Sequence, residues 1–193
     1  MAQILAFAGS TRRASWNKKL LEFAVARARQ AGGEVTLVDL ADFEMPIYSG
    51  DLEADQGLPE AAVELHRLLL SHQGFLIASP EYNGSITPVL KNAIDWASRP
   101  VDGVGVSEVF GGKVASLVSA SPGGLGGLRG LRHLREILTG IGTVVLPTDV
   151  AVGGIMKAFK DDESGELKDG RPAQMLDQAM ERLVHATRAL GAS

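Results

Sequence analysis

The sequence predicts an α/β protein, a three-layer sandwich in which helices cover both faces of a five-stranded parallel sheet with strand order 2-1-3-4-5. Three observations lead there. Apolar runs of strand length alternate with helical patterns along the chain, giving five βα units. Runs such as Phe75-Leu76-Ile77-Ala78 are apolar without alternation, as expected where both faces of a parallel sheet are buried. Right-handed crossovers and a count of five strands favour the order with its switch point between strands one and three.

The elements follow in order. The apolar run Ile4 to Ala8 marks a first strand, Gln3 to Ala8, followed by a helix from Ser15 to Gln30. A strand from Glu34 to Asp39 and a helix from Pro59 to His72 come next. The third unit is the strand Phe75 to Ser79 with the helix Pro88 to Ser98, which Thr87 opens as a cap and Pro88 as a first-turn proline. The strand Lys113 to Ser119, the helix Leu128 to Gly140, a strand near Thr143 to Leu146 and a helix from Ala173 to Leu190 complete the series. Val101 to Gly112 and Ala151 to Pro172 are irregular, rich in glycine or charge, and are expected outside the core.

Size and composition narrow the function. A chain of 193 residues fits one domain, residues 1–193, since folding at this size buries roughly 70% of the unfolded surface. No apolar run is long enough to span a bilayer, and the start of the chain lacks the pattern of a secretory signal, so a cytoplasmic location is expected. The net charge of −4, with basic residues scattered among acidic ones, argues against nucleic-acid binding. With no cysteine there is no disulfide, thiolate nucleophile or Cys-based metal site, so redox chemistry would have to belong to a bound cofactor. Asp161-Asp162-Glu163-Ser164-Gly165 lacks the alternating ligands of a calcium loop and reads as a solvated turn.

Polar loops lie where strands end, the usual ligand position in parallel α/β folds. In the first, Ser10, Thr11, Arg12, Ser15 and Asn17 place hydroxyls, an amide and backbone N–H groups at a helix start, which suits a phosphate. Ser15 as a plain cap with Arg12 in water fits the spacing equally well. In the second, Ser79 to Ser85, Tyr82 and Asn83 offer an aromatic body and polar edges, and Gly84 permits close approach to a flat ring. Neither G-x-x-x-x-G-K-[ST] nor G-x-G-x-x-G follows the first strand, so a phosphate would be held in some other way. The run Gly123 to Gly130 reads as a flexible third loop approaching the same ligand.

The segments Gly9 to Asn17, Ser79 to Ser85 and Leu90 to Arg99 together resemble the NADPH-dependent FMN reductase family of flavodoxin-like quinone, chromate and azo-dye reductases. The likeness runs on through Ser119 to Leu138 and weakens in Ala151 to Pro172. It implies non-covalent FMN, NADPH or NADH as co-substrate and a small-molecule electron acceptor such as a quinone, free flavin, azo or nitro compound, or chromate. The family's phosphate loop falls on Ser10, Arg12, Ser15 and Asn17. Its flavin-ring loop falls on Pro80, Glu81, Tyr82 and Asn83, and its third loop on Ser121, Gly123 and Gly124. Many relatives have Pro-Gly where this chain has Thr87-Pro88.

On that resemblance no acid–base side chain is obligatory, and backbone N–H groups near Asn83, Gly84 and Ser121 to Gly123 would stabilise charge on the reduced ring. Two other classes compete. A flavodoxin-like electron carrier would share the fold, although the composition is neither strongly acidic nor, at 5%, rich in aromatics. A serine hydrolase would need a G-x-S-x-G elbow, which is absent; His66, His72, His133 and His185 sit on helical patterns, and His66 and His72 lack zinc-protease spacing. A homodimer or homotetramer is also expected. Relatives commonly place the site at a subunit interface, and Leu125, Leu128, Leu131 and Leu134 with Arg129, Arg132, His133 and Arg135 would form an apolar core with a polar rim. The same spacing lets those leucines pack on the sheet.

Overall fold

A computed structural model describes residues 1–160 and 167–191. The chain runs β1 (Ala2–Ala8), α1 (Trp16–Gln30), β2 (Gly33–Asp39), a short 3-10 turn (Leu40–Asp42), α2 (Gly50–Gln56) and α3 (Glu60–Ser71). It continues with β3 (Gly74–Ala78), α4 (Pro88–Ala97), α5 (Val106–Val109), β4 (Val114–Ala120) and α6 (Leu128–Gly140). It ends with β5 (Val144–Val145), β6 (Val150–Val152), α7 (Ile155–Ala158) and α8 (Arg171–Leu190).

All pairings are parallel, and the sheet order is β2-β1-β3-β4-β5, the flavodoxin-like order expected from the sequence. Alternation along each strand separates two core layers. Ile4, Ala6 and Ala8 of β1 enter one layer with Leu20 and Ala24 of α1 and Leu176 and Leu183 of α8. Leu5 and Phe7 enter the other with Leu65 of α3, Leu90 of α4 and Leu131 and Leu138 of α6. Both layers are apolar because a strand in the middle of the sandwich has no face left for water.

The fifth sheet position is filled by two short strands. β5 pairs with Val114 and Ala115, and β6 with Val118 to Ala120 further along β4. Pro147 lies in the gap and cannot donate to a ladder. There the Arg135 guanidinium from α6 donates to the carbonyls of Val145 at 3.0 Å and Leu146 at 2.7 Å, and pairs with Asp149.

The two irregular segments do contribute to the core, contrary to expectation. Val109 and Phe110 are buried under α3 and α4, and the strand-like pair Val101 and Val104 closes around a tight Asp102-Gly103 turn. From the second segment Val152, Ile155, Phe159 and Leu167 are buried, and Phe159 stacks on Trp16 with ring centroids 5.5 Å apart. Their apolar residues are scattered among glycines and charges and give no periodic signal along the sequence. Asp161 to Gly165 lies outside the described residues.

Leu176 is fully buried between α8 and the sheet, whereas Ile47 is exposed. Leu176→Ala should cost about 2–5 kcal/mol in urea unfolding, through lost transfer energy and the cavity left behind. Ile47→Ala should stay within about 0.5 kcal/mol of wild type.

Candidate functional site

The carboxyl ends of β1, β3 and β4 deliver three loops to one edge of the sheet, where chain order reverses between β1 and β3. Backbone pairing continues one residue past each strand. Gly9 N–H donates to Ala78 O at 2.8 Å, Ser79 N–H to Val118 O at 2.9 Å and Ser121 N–H to Val152 O at 3.1 Å. Buried hydroxyls then tie the loops together. Thr87 Oγ1 donates to Gly9 O at 2.7 Å while accepting from Leu90 N–H as the cap of α4, and Ser119 Oγ donates to Ser79 O at 2.6 Å.

In the first loop Ser10 and Ser15 are buried, while Thr11, Arg12 and Arg13 are exposed. Ser15 occupies the cap position of α1 with extended backbone but makes no capping hydrogen bond, so the N–H groups of the first helical turn keep no side-chain partner there. Such an end, with two serine hydroxyls and Arg12 beside it, suits a phosphate. Asn17 also joins two elements. Its Nδ2 donates to Ala120 O at 2.9 Å and its Oδ1 accepts from Ala120 N–H at 3.0 Å, so one N–H and one lone pair of the amide tie α1 to the end of β4.

The second loop is a two-residue reverse turn. Tyr82 and Ser85 exchange backbone hydrogen bonds at 2.9 and 3.0 Å, and Asn83 and Gly84 have φ of 53° and 81°. Those positive values define a type I′ turn, which Asn-Gly adopts with little strain. Tyr82 is half exposed, and a side chain at Gly84 would meet nothing within 4 Å, so this surface is open. Pro80 is buried behind it.

Glu81 points away from that surface toward α6. Its Oε2 accepts from Arg129 N–H at 3.0 Å and Gly130 N–H at 3.1 Å, and its Oε1 takes Nε of Arg129 at 2.8 Å together with Nη2. Burial raises the Glu81 carboxyl, but the Arg129 guanidinium and the two backbone N–H groups outweigh it and hold the group below its ordinary value.

The third loop is less flexible than its composition suggests. Ser121 Oγ accepts from Gly123 N–H at 3.0 Å, and a Cβ at Gly127 would lie 2.0 Å from Ser119 Oγ. Only a glycine lets this loop close on β4. Gly123 and Gly124 are the exposed pair. On α6, Leu131 and Leu134 are buried against the sheet, Arg135 holds the β5–β6 gap, and exposed His133 meets Ser85 Oγ at 3.1 Å. Much of the polar and apolar rim expected for a partner is thus engaged within the chain.

A wall that sequence reasoning did not place borders the first loop. Asn92 of α4 accepts from Tyr48 N–H at 2.9 Å and donates to Pro46 O at 2.9 Å, and Trp96 Nε1 donates to Pro46 O at 2.8 Å. Glu53 of α2 accepts from Tyr48 OH at 3.0 Å and Arg99 Nε at 2.9 Å. Arg99 holds the Glu53 carboxyl below its usual value, and hydrogen bonding to Glu53 raises the Tyr48 phenol. Between this wall and the loop lies a cavity of about 310 Å³ lined by Thr11, Phe43, Met45, Val89 and Asn92. A larger one, about 550 Å³, follows β2 beside the Lys18–Asp39 ion pair and reaches Ala8 at the end of β1 and Phe43. Nothing local marks these partners, which come together only through the fold.

Among the described residues no cluster of His, Cys, Asp or Glu could hold a metal, and no helix is long and apolar enough to cross a membrane. Fold and site define a flavodoxin-like protein with a phosphate-ready helix end and an open turn at the switch point. The family model for NADPH-dependent FMN reductase matches residues 2–157. An NAD(P)H-dependent FMN reductase of Pseudomonas aeruginosa is 33% identical over 182 residues, covering 94% of this chain and 92% of that protein. A quinone reductase of Escherichia coli is 32% identical over 168 residues, covering 86% and 85%. The solved structure of FerB, a flavoenzyme NAD(P)H:(acceptor) oxidoreductase from Paracoccus denitrificans, superimposes with a TM-score of 0.82 at 29% identity, covering 98% of this chain and 99% of that one. The chain belongs to the NADPH-dependent FMN reductase family. It is an oxidoreductase whose chemistry uses FMN and a nicotinamide donor, which sets the carrier and hydrolase readings aside.

Asn17→Ala should destabilise the ligand-free protein by about 1–3 kcal/mol, because it leaves buried backbone groups of Ala120 without partners. Arg12→Ala should leave unfolding of the same ligand-free protein within about 0.5 kcal/mol of wild type. Glu81 has a folded-state value below its reference of 4.5, so its contribution to stability is full above about pH 4.5 and is lost as pH falls through the folded value. The gap in unfolding temperature between wild type and Glu81→Gln should therefore be constant near neutrality and close in acid.

Proposed function

We propose that this protein passes reducing equivalents from NAD(P)H through non-covalently bound FMN to quinones and related small acceptors. In this reading the FMN phosphate sits at Ser10, Arg12, Ser15 and the open first turn of α1, with the ring along Pro80 to Gly84 and Ser121 to Gly124. The observation that carries it is the uncapped start of α1, flanked by two buried serines at the switch point.

When bound, FMN supplies two-electron chemistry, taking a hydride from the nicotinamide and returning electrons to an acceptor. The protein binds and orients. Arg12 adds a charge-assisted contact to the dipole of α1. The hydrogen bonds closing the Tyr82–Ser85 turn use the N–H groups of those two residues, leaving the Asn83 and Gly84 N–H groups outside the pairing. Such fixed donors favour negative charge on the ring without reorganising. Tyr82 and Leu125, both exposed on neighbouring loops, suit cover by a second subunit in a homodimer or homotetramer.

Purified protein should take up FMN in preference to FAD, and Arg12→Ala should weaken FMN by roughly ten- to a hundredfold in equilibrium dialysis. No FMN uptake would overturn the reading. Steady-state kinetics with NADH and NADPH against a quinone panel should give parallel double-reciprocal plots, as expected if donor and acceptor use one face in turn. Intersecting plots with simultaneous binding of both substrates would refute that order. Light scattering should show an oligomer; a monomer with full flavin content and activity would show the site to be complete in one chain.

A further inference from the structure

We propose that Glu81 is a positioning residue that locks the second and third loops into one unit, and that it does not touch the flavin; this rests on the FMN reading above. Helix α6 has no cap of its own, since Gly127 at its N-cap offers no side chain. The Glu81 carboxylate replaces that cap from a loop 48 residues away in sequence. Two oxygens receive four donors: the N–H groups of Arg129 and Gly130 on Oε2, and Nε and Nη2 of Arg129 on Oε1. A carboxylate has about four acceptor sites, so Glu81 has none left for a ligand. Its side chain is 9% exposed.

The approach is built into the sequence. A Cβ at Gly130 would stand 3.3 Å from Glu81 Cβ and 3.1 Å from Ser85 O, so a side chain at 130 would require the second loop to give by a few tenths of an ångström against α6. Glu81 immediately precedes the Tyr82–Ser85 turn, and Arg129 follows the Gly123–Gly127 loop. One carboxylate therefore fixes the Tyr82–Ser85 turn, whose Asn83 and Gly84 N–H groups lie outside its own pairing, against the start of α6 just beyond the Gly123–Gly127 loop. Loosening it should weaken binding of the negatively charged reduced flavin more than that of the oxidised form.

The test compares wild type, Glu81→Ala, Glu81→Gln and Arg129→Ala by amide hydrogen exchange on the FMN-free proteins, then by FMN affinity and the reduction potential of the bound flavin. Glu81→Ala should speed exchange at Arg129, Gly130 and the Tyr82–Ser85 turn and raise the FMN dissociation constant about tenfold. If the reduced form loses a further factor of ten, the two-electron potential falls by about 30 mV. Arg129→Ala, which leaves the backbone donors on Glu81, should show a smaller change in each readout. Should Glu81→Ala fail to fold, Glu81→Gln carries the same measurements with the charge removed and one acceptor oxygen retained. Weaker FMN binding with unchanged exchange would mean direct contact with the flavin and would overturn the proposal. Unchanged affinity and potential in a folded Glu81→Ala would overturn it equally. A wild-type protein that takes up no FMN would defeat the functional reading alone, while the exchange data would still decide whether the clamp exists.

Discussion

Burial of β1, β3 and β4 on both faces is the constraint from which the rest of the molecule follows. A strand covered above and below is apolar along nearly all its length, Ser116 in the middle of β4 excepted, and the carboxyl ends of these strands lie side by side. Hydroxyls that would be costly inside the sheet are gathered there and paired at once, Thr87 with Gly9 and Ser119 with Ser79. The polar floor of the site is a by-product of keeping the sandwich dry.

That economy explains why several residues with the look of ligand contacts face inward. Asn17 commits its amide to the buried backbone of Ala120, and Glu81 commits its carboxylate to the backbone N–H groups of Arg129 and Gly130 and to the Arg129 guanidinium. What remains toward the open side is largely main chain: the first turn of α1 and the Asn83-Gly84 turn. A surface made of backbone donors discriminates little between side-chain chemistries, and it holds its shape because the groups behind it are fixed.

The strand order, the alternation of elements and the positions of the three loops were legible in the sequence because each rests on local signals: continuous apolar runs, the Thr87-Pro88 helix start and the Asn-Gly pair. The roles of Asn17 and Glu81 were not. Each depends on a partner about 100 or about 50 residues away, Ala120 and Arg129, and residue type alone does not tell a clip from a ligand. The split of the fifth strand was half visible, since Pro147 argues against a continuous ladder, but Val150 to Val152 lay within a stretch dominated by glycine and charge. The Tyr48–Glu53–Arg99 wall left no local trace, being assembled from α2, the segment before it and the residue that follows the cap of α4.

The broken outer strand has a bearing on how the molecule meets others of its kind. Sheet edges invite strand addition when they present a continuous row of free main-chain groups. Here Arg135 fills the interruption on one side, and on the other Arg29 occupies the Val35 carbonyl of β2 at 2.9 Å. The broken margin offers no long template, so growth by runaway strand pairing is discouraged there, while β2 keeps seven residues of strand at the opposite margin with the Val35 carbonyl occupied.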